Sequence, residues 1–122
     1  MAFVKRIDTV FIPVTDLERA EKWYLDAFPF KVTYRSPDGN YIGFSFIDHH
    51  PLQTGVCIYK SDKVMKMDHM AFNFYSEDID GYRSFLKEKN IKVTDIHDGG
   101  DTRFFEFFDP DGNELCAVTF PE

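Results

Sequence analysis

The chain repeats itself at half its length. Asp68-His69-Met70-Ala71-Phe72-Asn73-Phe74 is an imperfect copy of Asp8-Thr9-Val10-Phe11-Ile12-Pro13-Val14, sixty positions upstream in a chain of 122 residues. Each copy alternates like a strand and runs through a short polar segment into an amphipathic stretch. A period of this size describes one supersecondary unit used twice. Equivalent positions then become comparable: what His69 faces from one unit, Thr9 faces from the other. The seam between the units is the expected functional centre.

In the first unit, Ile7 to Val14 reads as a strand with Val10, Ile12 and Val14 on one face and Thr9, Phe11 and Pro13 on the other. Thr15-Asp16-Leu17-Glu18 matches a capping box, in which hydroxyl and carboxylate satisfy each other's free amides. Leu17, Ala20, Trp23, Tyr24, Ala27 and Phe28 form one stripe of a helix that Pro29 ends. Strands are expected at 31–35, 41–47 and 55–59, with Pro37-Asp38-Gly39-Asn40 as a hairpin turn. The second unit repeats the order. Strand 68–74 leads through Ser76-Glu77-Asp78 to a helix with Ile79, Tyr82, Phe85 and Leu86 inward, and Asn90 is its left-handed terminator. Strands at 91–96, 102–108 and 114–120 follow, and 60–66 is the linker. The expected fold class is α+β: one domain, 1–122, of two βαβββ modules at about 4–60 and 67–120. Their mixed sheet curves around a concave cleft.

Composition narrows the function. An apolar fraction of 43% with 29% charged residues belongs to an ordinary globular chain. The 17% aromatic content, with 14 Phe, exceeds what one core needs, so the surplus is expected to line a cavity or a subunit interface. A net charge of −7 without Lys or Arg clusters argues against nucleic acid and anionic membrane, and is compatible with a cationic ligand. No apolar run reaches the roughly 18 residues of a membrane span. Met1 to Arg6 lacks the order of a secretory signal. Two Cys fit a reducing interior, so the expected compartment is the cytoplasm.

The motifs resemble a known family. Asp8 to Ala20, Asp68-His69-Met70-Ala71-Phe72, and Phe107-Phe108-Asp109-Pro110-Asp111-Gly112-Asn113 are similar, in this order and over essentially the whole chain, to the vicinal oxygen chelate superfamily. That superfamily includes glyoxalase I, extradiol dioxygenases, fosfomycin-resistance proteins and bleomycin-resistance proteins. It implies a metal ligand on the first and last strand of each unit, commonly His, Gln or Glu. Those positions correspond here to Thr9, Cys57, His69 and Cys116. Only His69 matches the pattern, and thiols stand where carboxylates are expected. Mg2+ and Mn2+, which want oxygen ligands, are therefore not expected. Cys57, His69 and Cys116 would instead form a Cys2His set with an open position, which Zn2+ accepts.

Each candidate also has a plain alternative. His69 is a metal ligand or ligand-orienting base, or a cavity-lining histidine satisfied by a neighbour. Cys57 and Cys116 are ligands or small apolar filler. Glu106, flanked by Phe104, Phe105, Phe107 and Phe108, is a candidate catalytic acid or base, or else a solvated carboxylate. Asn73 shares a strand face with His69. Adjacent His49 and His50 point opposite ways and chelate poorly, and with His97 they read as solvated loop residues. The Asp109–Asn113 turn reads as a folding device.

The first expectation is a homodimer that binds a small, partly aromatic or cationic molecule without the family's metal. Thr9, Phe11, Phe44, Phe46, Phe105 and Phe107 would line its cleft, with His69 and Asn73 orienting the ligand. The alternatives are a metal-dependent lyase, isomerase or dioxygenase using Zn2+ or Fe2+ held by His69, and a purely structural or partner-binding dimer.

Overall fold

The computed structural model describes residues 3–48 and 50–121; Met1, Ala2, His49 and Glu122 lie outside them. The chain divides into two compact units, Met1–Val64 and Met65–Glu122.

In the first unit the order is β1 (Thr9–Val14), α1 (Leu17–Ala27), β2 (Phe30–Arg35), β3 (Tyr41–Phe46) and β4 (Gly55–Lys60). The sheet runs β1-β4-β3-β2, with β1 parallel to β4 and the other pairs antiparallel. The helix covers one face. Tyr24 stacks on Phe28 at 5.8 Å and lies 6.1 Å from Phe44, and Phe30 stacks on Phe44 at 5.4 Å. With Ile12, Val14, Val56 and Ile58 these rings make a buried core. The start of α1 differs from the capping-box expectation. Asp16 is the cap, its carboxylate accepting from the Arg19 amide at 3.0 Å, because Thr15 is still the segment after β1.

The second unit holds β5 (Phe74–Tyr75), α2 (Ile79–Glu88), β6 (His97–Asp98), β7 (Arg103–Phe108) and β8 (Glu114–Thr119), in sheet order β5-β8-β7-β6. Ile79 and Leu86 of α2 are buried, and Tyr82 packs 6.1 Å from Phe105 and 5.8 Å from Phe107. Asn90, with φ 63°, ends the helix in the left-handed region, and the Ile91 amide returns to the Leu86 carbonyl. Phe85 was expected inward and is exposed, under the Lys89 ammonium. It lies about 60° around the helix beyond Tyr82, off the stripe that Ile79 and Leu86 define.

Two expected strands are shorter than their patterns. Residues 68–73 form no ladder, and only Phe74 and Tyr75 pair with β8. In the first unit the start of β1 is fastened to the next segment, the Gly55 amide donating to the Asp8 carbonyl and the Thr54 hydroxyl to the Ile7 carbonyl. The matching turn of the second unit closes on itself. The Asp109 carboxylate accepts the amides of Asp111 and Asn113 and the Asn113 side chain. Asp68 and Asn73 also favour local turns over an edge strand. The strand expected at 91–96 is reduced to a bridge at Val93, with β6 beyond it. The Thr94 hydroxyl takes the Glu106 amide at 2.9 Å, the place a ladder carbonyl would have filled.

No helix among the described residues is long and apolar enough to cross a membrane.

Candidate functional site

A concavity of the first unit lies on the sheet face turned away from α1. Strand alternation assigns that face Thr9, Phe11 and Pro13 from β1, Gly55, Cys57 and Tyr59 from β4, and Tyr41, Gly43 and Ser45 from β3. β2 would present Lys31, Thr33 and Arg35, but its register slips between Val32 and Tyr34. The extra residue is Thr33. This bulge turns Arg35 toward α1, where it forms a paired hydrogen bond with Glu21 at 2.7 and 2.9 Å, and sets Tyr34 opposite Gly43.

One row across the sheet therefore reads Phe11, Cys57, Gly43, Tyr34. Its ends are aromatic and its middle is a thiol and a bare backbone. Phe11 is 58% and Tyr34 53% exposed. The next row on one side carries Pro13, Tyr59 and Tyr41, with the two tyrosine rings stacked at 6.0 Å. On the other side lie Thr9, Gly55 and Ser45. The resulting hollow has a volume of about 560 Å³ and also takes in Arg6, Asp8, His50 and Gln53.

Its rim is polar and ordered. Asp8 accepts from the Thr9 hydroxyl and from Arg6, both at 2.8 Å, and these bonds hold its carboxyl below the usual carboxylate range. The loop before β4 is pinned by Gln53, whose side-chain oxygen accepts from the Phe46 amide at 2.8 Å. The Leu52 amide donates to Nδ1 of His50 at 3.1 Å. That bond leaves the neutral imidazole with its proton on Nε2, a donor beside the hollow. The arrangement can stack a ring, accept from a donor and donate to an acceptor.

The second unit differs. Phe105 and Phe107 are fully buried against α2. Their strand neighbours Phe104, Glu106 and Phe108 share the opposite face with Cys116, which lies across from Glu106. One Glu106 oxygen meets Nε2 of His97 at 3.0 Å; the other is buried with no hydrogen-bond partner. His97, expected as a loop residue, is a β6 residue packed 4.8 Å from Phe104.

The expected site residues are thus divided. Thr9, Phe11 and Cys57 line the hollow of the first unit. Phe44 borders it, but its ring is buried with Tyr24 and Phe30, and Phe46 points the same way, 4.9 Å from Phe30. Phe44, Phe46, Phe105 and Phe107 were expected on the faces away from the helices. All four lie on the helical faces, because the core claims them first. His69 is exposed in the irregular segment, Nδ1 lying 2.8 Å from the Met70 carbonyl, and Asn73 is exposed in the same segment. Tyr34, Gly43, Gln53 and His50 were not foreseen as site residues. Glycines at 43 and 55 inside strand patterns were the available signal.

The metal implied by the family resemblance can be tested against its donors. The Thr9 hydroxyl is committed to Asp8. Both thiols are buried, and burial disfavours the ligating thiolate. It raises Cys57, and with the Glu106 and Glu114 carboxylates it pushes Cys116 up to about 11. Among the described residues no three His, Cys, Asp or Glu side chains are grouped to hold an ion. A committed hydroxyl and two buried, protonated thiols are poor donors, and these residues do not fit the implied metal.

Comparison with known proteins agrees with this architecture. A family model of the Glyoxalase/Bleomycin resistance protein/Dioxygenase superfamily matches residues 6–117. The chain belongs to this superfamily. Solved structures of the same fold include a superfamily member from Sphaerobacter thermophilus DSM 20745, 21% identical with TM-score 0.79 over 97% of this chain and 99% of that one. TnmS3, an antibiotic binding protein from Streptomyces sp. CB03234, is 17% identical with TM-score 0.80 over 99% and 100%. The fosfomycin resistance protein FosX from Mesorhizobium loti is 20% identical with TM-score 0.71 over 99% and 95%. No curated protein matches the chain. At these identities the likeness to the solved structures speaks for the fold alone.

Proposed function

We propose that this protein binds a small, partly aromatic or cationic molecule on the helix-free face of its first sheet, without a divalent metal. One observation carries the reading: two exposed rings, Phe11 and Tyr34, flank a floor of Cys57 and Gly43 within a hollow of about 560 Å³. Exposed aromatic rings around a concave floor are the chemistry of stacking and of cation recognition. An antibiotic binding protein and a fosfomycin resistance protein have this fold, in keeping with a drug-like ligand. The second unit, taken by itself, offers exposed His69 and Asn73 as candidate ligand contacts and Glu106, paired with His97, as a candidate acid or base. The same reading includes a cytoplasmic homodimer, supported by the aromatic surplus and the two free thiols.

Thermal shift with a panel of aromatic and cationic molecules tests this. A ligand at a hundred times its Kd stabilises the folded state by about 2.7 kcal/mol, a shift of several degrees. Phe11→Ala should reduce that shift. A panel without effect overturns the reading. So does near-stoichiometric metal in protein purified without chelator and lost in His69→Ala, which is the result expected of a metal-dependent enzyme.

A further inference from the structure

We propose that position 43 sets the shape selectivity of this face, so that its bare backbone favours flat ring systems over globular ones. The proposal rests on reading the face as a ligand site. Tyr34 reaches the face only because Thr33 bulges, and the bulge is held by Thr33 itself, whose hydroxyl donates to the Gly43 carbonyl at 3.5 Å and lies 3.2 Å from the Ser45 hydroxyl. Tyr34 then stands beside Gly43, directly across the strand pair. A Cβ built at Gly43 would stand 3.1 Å from the Tyr34 Cβ, tight enough that the tyrosine must move.

The floor continues at backbone level at Gly55, where an added Cβ would come 3.1 Å from the Phe44 carbonyl oxygen. Between Phe11 and Tyr34 lie three strand-to-strand steps, about 14 Å at the usual spacing. A flat aromatic can lay its whole face on Gly43 and Cys57 at about 3.5–4 Å while its edges meet Phe11 and Tyr34. A globular ligand touches that floor only at a cap and leaves most of its apolar surface in water. Charge does not separate the two, since both feel the same Asp8 and Arg6.

Proflavine, a flat tricyclic cation, and 1-adamantylammonium, a cage cation of equal charge, provide the test by titration calorimetry. Proflavine should bind at least tenfold more tightly. Gly43→Ala should weaken proflavine tenfold or more, leave 1-adamantylammonium within twofold, and retain the melting temperature. Tyr34→Leu, which keeps bulk but loses the ring, should act the same way and covers the case of a poorly folded Gly43→Ala. Equal affinity for the two cations overturns the proposal, as does undiminished proflavine binding in both variants. If panel molecules bind but proflavine does not, flat-ring selectivity alone fails; if nothing binds, the ligand face fails with it.

Discussion

Phe105→Ala and Phe11→Ala should separate the two faces of the sheets by stability. Phe105 has no exposed surface and packs against Tyr82. Truncating such a ring removes its transfer energy and leaves a cavity, together about 3–5 kcal/mol. That is a large part of a total of about 5–15 kcal/mol, and corresponds to a fall in melting temperature of roughly 10–20 °C. Phe11 is 58% exposed, so less than half of its ring contributes to folding, about 1 kcal/mol. Its exposed remainder is the part a ligand can cover, worth about tenfold in Kd. Urea unfolding followed by circular dichroism gives the first quantity and ligand titration the second. If Phe105→Ala stays within 1 kcal/mol of the parent, or Phe11→Ala is the more destabilising, the faces have been assigned the wrong way round.

Cys116, pushed up to about 11 by burial first and then by Glu106 and Glu114, should react with iodoacetamide at pH 8 at least a hundredfold more slowly in native than in urea-unfolded protein. The folded state holds this proton more tightly, so the stability it contributes is complete below about pH 9 and is lost as pH rises from about 9 to 11; alkaline urea melts should show that decline. Asp16→Ala should lower stability by about 1 kcal/mol through loss of the cap, whereas Thr15→Ala should change it by less than half as much; a reversed order would restore the Thr15 capping box. EDTA should leave the melting temperature and ligand affinity unchanged, and a drop of several degrees on chelation, restored by Zn2+, would refute the mismatch between these donors and a metal.

The repeat, the alternating strands and the helix stripes were legible because each follows from local periodicity and turn chemistry. The sixty-residue offset predicted two units, and Pro29, Asn90 and the Asp109–Asn113 turn marked their breaks. Alternation also established which residues travel together: Thr9 with Phe11, and Cys57 with Gly55. It could not say which set a helix would cover. Arg103-Phe104-Phe105-Glu106-Phe107-Phe108 has phenylalanine on both faces, and packing against Tyr82 chose Phe105 and Phe107.

Three features belong to tertiary structure alone. By alternation Tyr34 shares a face with Phe30 and Val32 and should lie under α1. The bulge at Thr33 breaks that parity and carries it to the hollow, and a bulge is decided by the partner strand. Residues 68–73 alternate like β1 yet form no ladder, because a strand needs a neighbour's free amides and carbonyls at its own level. His97 and Glu106, nine residues apart, meet only because β6 turns back along β7. Sequence periodicity orders residues along one strand; which face is covered, and what lies opposite, is decided only when strands and helices pack.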